Sequence, residues 1–305
     1  MRKLALVTLV GLVACSSPAP VATSPATGVR SPGIVDSHVH LALWPVDKEL
    51  AAAGVLYAID LAAPDRALDD PSALRVLLRS GPMLTHDHGY PLDAWGSDGY
   101  GFGCAVDTCV DARIEALAKR QLHVIKLALD DDGLDPALVP LAVKDAHAHH
   151  MRVAVHALSD ASANLGGRAG ADILAHTPVE PLSDATIALW AHGTVISTLA
   201  AFGGSPAAIE NLRKLRAAGA TVLYGTDLGN LRDAGPSAQE TALMKRAGMD
   251  DAAIADAMTT VPLHYWGIEV PAGEATYLLL DGDPHQDLAF LLRPREVWSR
   301  GKRLR

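Results

Sequence analysis

The sequence lacks a long apolar run, an excess of positive charge and two motifs of common α/β enzymes. No apolar run approaches the roughly 20 residues that cross a bilayer, which excludes an internal membrane span. The 26 Lys and Arg are outnumbered by 35 Asp and Glu, giving a net charge of -9. Such a chain lacks the basic face that nucleic acids require. No Gly-rich dinucleotide loop follows a predicted strand, and no G-x-S-x-G serine motif is present.

What is present is the composition of a protein with a large core. Hydrophobic residues make up 49% of the 305 residues, charged residues make up 20%, and the mean hydropathy is +0.16. This composition excludes wholesale disorder. A mass of 32.0 kDa lies within the range of one α/β barrel.

The first residues have the pattern of an export signal. Arg2 and Lys3 precede an apolar stretch, and residues 12–15 read Leu-Val-Ala-Cys. Cysteine at this position resembles a bacterial lipoprotein signal, which implies removal of residues 1–14 and lipidation of Cys15. The alternative is an ordinary signal peptide that happens to contain a cysteine. Ser16, which follows the anchor, favours the periplasmic side of the outer membrane within the cell envelope.

Residues 15–32 are rich in Ser, Pro, Ala and Thr and predict a flexible tether. Two further cysteines, Cys104 and Cys109, lie close together in the chain. In an exported protein they predict a local disulfide, with two free thiols as the alternative.

Eight short apolar runs follow the tether, and most are separated by segments of helical period. This alternation predicts an α/β fold with a parallel sheet, specifically a (β/α)8 TIM barrel over residues 33–266. Residues 267–305 are expected to form a C-terminal β appendage, with strands at 276–281 and 296–300. Helices are expected after Asp70-Pro71, from Asp107 and after Ser205-Pro206. The eight predicted strands are 34–40, 55–60, 82–86, 123–127, 152–156, 172–176, 194–199 and 221–227.

Six polar residues lie in or at the ends of these predicted strands, where barrel enzymes carry their chemistry. The first strand ends in an HxH motif, whose two imidazoles point to one side. A lysine inside the apolar fourth strand is costly to bury without a partner. The set is His38, His40, Lys126, His156, His176 and Asp227.

These motifs resemble the amidohydrolase superfamily, in its imidazolonepropionase-related and Xaa-Pro-dipeptidase-like branch. The matching segments are 32–41, 124–126, 155–157, 175–177, 224–227 and 280–284. The resemblance implies two divalent metal ions, most often zinc. His38, His40 and Asp227 would hold one ion, and His156 and His176 would hold the other. Lys126, carboxylated by CO2, would bridge both ions.

The implied reaction is hydrolysis of a C–N bond in an amide, dipeptide or cyclic amide. A metal-bridging hydroxide would attack, with Asp227 as the general base. A carbamate on Lys126 is an anion with two oxygens, which suits a bridging ligand. Members of this branch usually carry a β-sandwich before the HxH strand, whereas this chain has only the tether there. The C-terminal appendage is therefore expected to be a truncated sandwich.

Two other functions remain open from the sequence. The same site would serve a lactonase or phosphotriesterase, or the chain is a non-catalytic envelope metal-binding protein. The partner expected for an enzyme is a small-molecule substrate. Its contacts are expected to include His86, which ends the third predicted strand, and Tyr90 and Arg232, which follow the third and eighth predicted strands.

Overall fold

A computed structural model describes residues 28–130 and 132–305. The predicted signal, Cys15 and most of the predicted tether lie outside these residues. Within the two described ranges, none of the helices combines the length and the apolar character needed to cross a membrane.

Most of the strands form two parallel sheets. The larger sheet has seven strands in the order β6-β5-β7-β8-β9-β10-β11, and the smaller has the order β2-β3-β4. All pairs within them are parallel. These strands are β2 (Ile34–Val39), β3 (Val55–Asp60), β4 (Val76–Arg79), β5 (Met83–Thr85), β6 (Gly101–Gly103), β7 (Val124–Ala128), β8 (Arg152–His156), β9 (Ile173–Leu174), β10 (Thr194–Ile196) and β11 (Thr221–Leu223).

Hydrogen bonds connect the two sheets along one side. The amide of Ser37 donates to the carbonyl of Tyr224 over 2.9 Å, and the amide of Asp227 donates to the carbonyl of His38 over 2.8 Å. The end of β11 therefore lies beside β2. Across residues 28–130 and 132–305 no ladder joins β4 to β6, so the strands form a mixed α/β fold with two parallel sheets rather than one continuously paired barrel.

Helices connect most of the strands, and several begin at side-chain caps. The hydroxyl of Ser205 accepts from the amide of Ala208 over 3.1 Å, so the helix expected after Ser205-Pro206 is observed. The helix expected from Asp107 is observed as well. The helices are α1 (Asp47–Ala52), α2 (Asp107–Lys119), α3 (Val139–Ala148), α4 (Asp160–Ala169), α5 (Asp184–Leu189), α6 (Pro206–Ala217), α7 (Ala238–Arg246), α8 (Asp251–Met258), α9 (Thr260–Tyr265) and α10 (Ala289–Leu292).

The prediction of a helix after Asp70-Pro71 is wrong. Val76–Arg79 forms strand β4, whose Val76 pairs with Tyr57 of β3. Leucines at 74, 77 and 78 fit a helical stripe, but they also fit a short buried strand. The edge of β3 offers backbone partners, and this tertiary pairing overrides the local pattern.

The C-terminal residues form an antiparallel sheet of four strands. Its order is β1-β12-β13-β14, with β1 at Val29–Ser31, β12 at Tyr277–Leu280, β13 at Glu296–Ser299 and β14 at Lys302–Arg303. Both strands expected in this region are observed. The end of the predicted tether, however, is the strand β1, because it pairs with the edge of β12.

The antiparallel sheet packs into the same core as the parallel strands. Leu278, Leu280 and Val297 are fully buried within one continuous apolar cluster. Arg75, beside β4, donates to Glu274 over 2.6 and 3.1 Å, which joins the two parts through a bidentate ion pair. The appendage is therefore an integral part of the folded unit.

Replacing Leu278 by Ala is expected to destabilise the whole protein by about 2–5 kcal/mol, because a buried cavity forms. Urea unfolding should show a single transition shifted to lower urea. The matched control Leu304→Ala removes an exposed side chain (39% exposed) and should change stability by about 0.5 kcal/mol or less. A separate early transition for the Leu278 variant would show that the appendage unfolds independently.

Candidate active site

The six polar residues singled out in the sequence come together at one end of the parallel strands. Each belongs to a strand or lies within four residues of the end of one, so the strand order places them around a common centre. All are buried, with 3% exposure or less. The structure thus brings together His38, His40, Lys126, His156, His176 and Asp227.

Three of these residues form a compact donor group. The Nε2 of His40 lies 3.0 Å from Oδ1 of Asp227, and the Nε2 of His38 lies 3.5 Å from the same oxygen. One donor atom from each of the three residues falls within 4.8 Å of the others. Two imidazoles and a carboxylate at this spacing are a ligand set suited to zinc and related ions.

The other three residues adjoin this group. The Nζ of Lys126 lies 3.0 Å from Nε2 of His38. The ring of His176 lies 4.4 Å from that of His38, measured between centroids, and the rings of His156 and His176 are 4.9 Å apart. The lysine amine therefore lies next to the donor group, and two more imidazoles extend the same site.

Hydrogen bonds on the far side of two imidazoles orient them. The Nδ1 of His38 lies 2.8 Å from the carbonyl of Ala175, which only accepts, so this nitrogen carries the proton. The Nε2 lone pair of His38 then faces Lys126. The Nδ1 of His176 lies 3.0 Å from Oγ1 of Thr198. Partners of this kind are typical of imidazoles that bind metals.

Two buried imidazole nitrogens have no partner among the residues that the structure describes. They are Nδ1 of His40 and Nδ1 of His156. A buried polar atom without a hydrogen bond costs about 1–3 kcal/mol and calls for an explanation. The unpartnered nitrogens and the three-residue donor group both fit a site built to take up cations.

Burial sets the charge states of the site. It lowers the pKa of His156 to about 3, with the nearby Lys126 amine as a second cause. Burial also lowers the pKa of Lys126, to about 8. The pKa of His38 and that of His176 lie well below the usual value, again mainly through burial. Neutral imidazoles are the form that ligates metals.

The carboxylate of Asp227 behaves differently. Burial alone would raise its pKa, but His38, His40 and Lys126 outweigh that effect and hold the pKa below its usual range. Asn230 also donates to both carboxylate oxygens over 3.2 Å. The site therefore keeps one buried anion among nitrogen donors.

A second buried carboxylate, Asp36, connects the strand of His38 to the segment of Asp227. It accepts from the amide of His38 over 3.2 Å and from the amide of Thr226 over 3.0 Å. It also accepts from the Thr226 hydroxyl over 2.5 Å. Burial nevertheless raises the pKa of Asp36 to about 7. These contacts set the distance between the HxH motif and Asp227, whose φ is +59°.

Aromatic side chains cover the histidines. Tyr90 stacks on His156 with 4.6 Å between centroids, and Trp95 lies 4.9 Å from His40. The indole nitrogen of Trp95 donates to the hydroxyl of Tyr90 over 3.0 Å. Both residues belong to the segment between β5 and β6. This aromatic pair, Tyr90 and Trp95, shields the site from water.

The other two expected substrate contacts lie elsewhere. His86 is exposed, and its Nδ1 lies 2.7 Å from the carbonyl of Asp87. It lines a surface cavity of about 570 Å³ with His88 and Asp132. Arg232 is exposed, and its guanidinium carbon lies 4.4 Å from the centroid of the Trp44 ring. Of the three, only Tyr90 contacts the six-residue site directly in this structure.

The cysteine pair flanks the start of α2. Cys104 and Cys109 form a disulfide with an S–S distance of 2.07 Å. Cys104 follows β6, so the disulfide lies just past the segment that carries Tyr90 and Trp95. It closes a short loop at the base of α2.

Sequence reasoning missed several residues that shape the site. Asp36 and Thr226 lie in the matching segments 32–41 and 224–227, but the sequence pattern of these segments does not show that the two side chains are in contact. Trp95 lies five residues after Tyr90 and was not among the expected substrate contacts. Thr198 and Phe202 follow β10, and no spacing points to them. Their partners are distant in the chain, so only the folded structure reveals the contacts.

Comparisons with known sequences give relatives of modest identity. No known protein-family model matches the chain. An uncharacterized protein of Mycobacterium tuberculosis and one of Mycobacterium bovis are each 29% identical over 263 residues, which covers 72% of this chain and 69% of theirs.

Solved structures are similar at lower identity. A Xaa-Pro dipeptidase with bound methionine has a TM-score of 0.73 at 17% identity, covering 89% of this chain and 86% of that one. An amidohydrolase has a TM-score of 0.71 at 18% identity, covering 95% and 90%. A putative prolidase from Bifidobacterium longum has a TM-score of 0.71 at 19% identity, covering 93% and 84%. The chain therefore has the fold of these amidohydrolase and prolidase structures.

Replacing Thr226 by Val is expected to lower the free energy of unfolding by about 1–3 kcal/mol. The change strips a hydroxyl donor from buried Asp36 and an acceptor from the amide of Leu228. Urea denaturation measures the loss. The matched control is Thr260→Val, which removes an exposed hydroxyl bound to Asp256 and should cost about 0.5 kcal/mol or less. Equal effects of the two changes would contradict a special role for the Asp36 contact.

Proposed function

We propose that this protein is a metal-dependent member of the amidohydrolase superfamily that hydrolyses a C–N bond in an amide, dipeptide or cyclic amide. The observation that carries the proposal is the convergence of four buried histidines, a buried lysine and a buried aspartate on one centre. The fold shared with dipeptidase and amidohydrolase structures supports it. The strand order also supports a (β/α)8 barrel, with the antiparallel sheet as a truncated sandwich.

The donor set suits two divalent ions, with zinc as the first candidate. His38, His40 and Asp227 would hold one ion, and His156 and His176 the other. Lys126 would bridge them after its amine takes up CO2. When bound, the pair of ions would lower the pKa of a water and polarise the substrate carbonyl.

The protein's own residues supply the rest. Asp227 is the anion of the site, so it would accept the proton of the attacking water and pass it to the leaving amine. Asp36 accepts hydrogen bonds from the backbone amides of His38 and Thr226, and so holds the two chain segments that carry the HxH motif and Asp227. Tyr90 and Trp95 exclude bulk water, which strengthens electrostatic interactions at the centre.

Two alternatives use the same residues. A lactonase or phosphotriesterase would carry out the same proton transfers with an oxygen leaving group. A non-catalytic envelope protein would only bind the metal. A panel of N-acyl amino acids, dipeptides, cyclic amides, lactones and phosphotriesters distinguishes these functions. Turnover confined to the substrates with a C–N bond supports the proposal. Bound metal without turnover of any substrate favours the non-catalytic protein.

Replacing Asp227 by Asn should reduce kcat on the best panel substrate by roughly 10²–10⁴-fold, because the proton acceptor is lost. The control is Asp233→Asn, which makes the same chemical change at an exposed position six residues further on and should leave kcat unchanged. Metal content should be measured on both variants, since Asp227 is also a proposed ligand. Full turnover by Asp227→Asn would reject this residue as the base.

Replacing Lys126 by Met should prevent uptake of two equivalents of zinc, because the bridging anion cannot form. Metal-free wild-type protein should regain activity faster with zinc and bicarbonate than with zinc in CO2-free buffer. The Met variant should show no bicarbonate effect. The exposed Lys119→Met is the matched control and should behave as wild type. Reconstitution of the wild type that ignores bicarbonate would argue against the carbamate.

We also propose that the protein is exported and anchored in the cell envelope through Cys15, on the periplasmic side of the outer membrane. The support comes from the basic and apolar residues before Cys15 and from the tether after it. The Cys104–Cys109 disulfide suits the oxidising conditions of that compartment. A small molecule is the proposed partner.

A further inference from the structure

Glu240, on α7, is a fully buried carboxylate outside the six-residue site. Its Oε1 accepts from the amide of Leu199 over 2.9 Å, and its Oε2 accepts from the amide of Ala200 over 2.6 Å. These amides belong to the loop that follows β10. A buried carboxylate is retained only where donors satisfy it, and here two backbone amides of one loop donate to it.

The position of Glu240 is itself set by the site's own strands. Ser237 caps α7 by accepting from the amide of Glu240 over 3.1 Å. The amide of Ser237 in turn donates to the hydroxyl of Tyr224 over 2.7 Å. Tyr224 directly follows β11 and lies three residues before Asp227. The first turn of α7 is thus anchored beside the site, and the Glu240 carboxylate reaches the loop from there.

The loop held by Glu240 begins in a conformation that costs free energy. Thr198 has a φ of +38°, which a β-branched residue adopts only when its surroundings impose it. Such residues cluster at functional sites. The two hydrogen bonds from Leu199 and Ala200 to Glu240 come immediately after Thr198, so they hold the backbone where the unfavourable torsion occurs.

Both ends of this loop contact His176. The Oγ1 of Thr198 lies 3.0 Å from Nδ1 of His176. Phe202, which ends the short 3-10 turn Ala200–Phe202, packs edge-on against the same imidazole at 4.9 Å between centroids. One contact selects which imidazole nitrogen faces the site, and the other limits rotation of the ring.

We infer that Glu240 is a positioning residue: it holds the 198–202 loop so that Thr198 and Phe202 present Nε2 of His176 to the second metal. The inference rests on the proposed function, since it assigns His176 to that metal. Glu240 touches neither the substrate nor the reacting atoms. Its effect passes through backbone hydrogen bonds to the loop and from the loop to the imidazole.

The test is titration of metal-free protein with Co²⁺, followed by calorimetry and by the visible absorption of the bound ion. The wild type should bind two equivalents, and His176→Ala should lose the second. Glu240→Gln should lower the affinity for that same second equivalent by roughly 10- to 100-fold, which is the usual loss when a residue that orients a metal ligand is removed. The first equivalent should bind as in the wild type, and the absorption of the second should change.

Two further variants separate positioning from simple stabilisation. Thr198→Val should lower the affinity for the second equivalent as well. The double variant Glu240→Gln/Thr198→Val should bind that equivalent no more weakly than Glu240→Gln alone, because both residues act on His176 through the same loop. The matched control Glu210→Gln alters a half-buried surface glutamate of α6 paired with Arg213 and should leave the binding of both equivalents unchanged. If Glu240→Gln does not fold, Glu240→Asp is titrated instead, with the same expected loss.

The outcomes are distinct. A wild type that takes up no metal overturns the proposed function itself. Loss of the second equivalent in His176→Ala, with unchanged affinity in a folded Glu240 variant, overturns only the positioning role. Equal weakening of both equivalents, or strictly additive effects of the Glu240 and Thr198 changes, also overturns it, since either result indicates general destabilisation.

Discussion

The carboxylate of Asp36 is the contact on which the geometry of the site depends. It is buried between β2 and the segment after β11, and it accepts hydrogen bonds from both. His38 and His40 lie on one side of this contact and Asp227 lies on the other. The two segments are some 190 residues apart in the chain, so their donor atoms come together only through this contact and the backbone hydrogen bonds that join Ser37 to Tyr224 and Asp227 to His38.

The same constraint explains the surroundings of the site. An apolar parallel sheet makes each buried polar group costly unless it finds a partner. His38 finds the carbonyl of Ala175, and His176 finds Thr198. Glu240 finds two amides of the 198–202 loop. Two imidazole nitrogens, Nδ1 of His40 and Nδ1 of His156, are left without a hydrogen-bond partner among the residues that the structure describes. The hydrogen bonds that satisfy the buried polar groups therefore also fix the positions of the site residues.

Part of this could be predicted because parallel strands have a simple local signature. The eight expected strands coincide with β2, β3, β5 and β7 to β11, and the six polar residues were read from their positions in those strands. The prediction of a helix after Asp70-Pro71 was wrong, because the pairing of β4 with β3 depends on a partner strand elsewhere. The strand β1 was missed for the same reason, since each of its residues pairs with a residue of β12 that is 247 to 251 positions further along the chain.

The sequence by itself determined where eight of the strands lie along the chain and which chemical groups lie in or just after them, because hydrophobic period and residue identity are local properties. Only the tertiary structure decided which nitrogen of His38 faces inward, that Tyr90 and Trp95 cover the histidines, and that Glu240 reaches the loop beside His176. Those features depend on hydrogen bonds and ring contacts between distant segments. Their distances and angles exist only once the chain has folded.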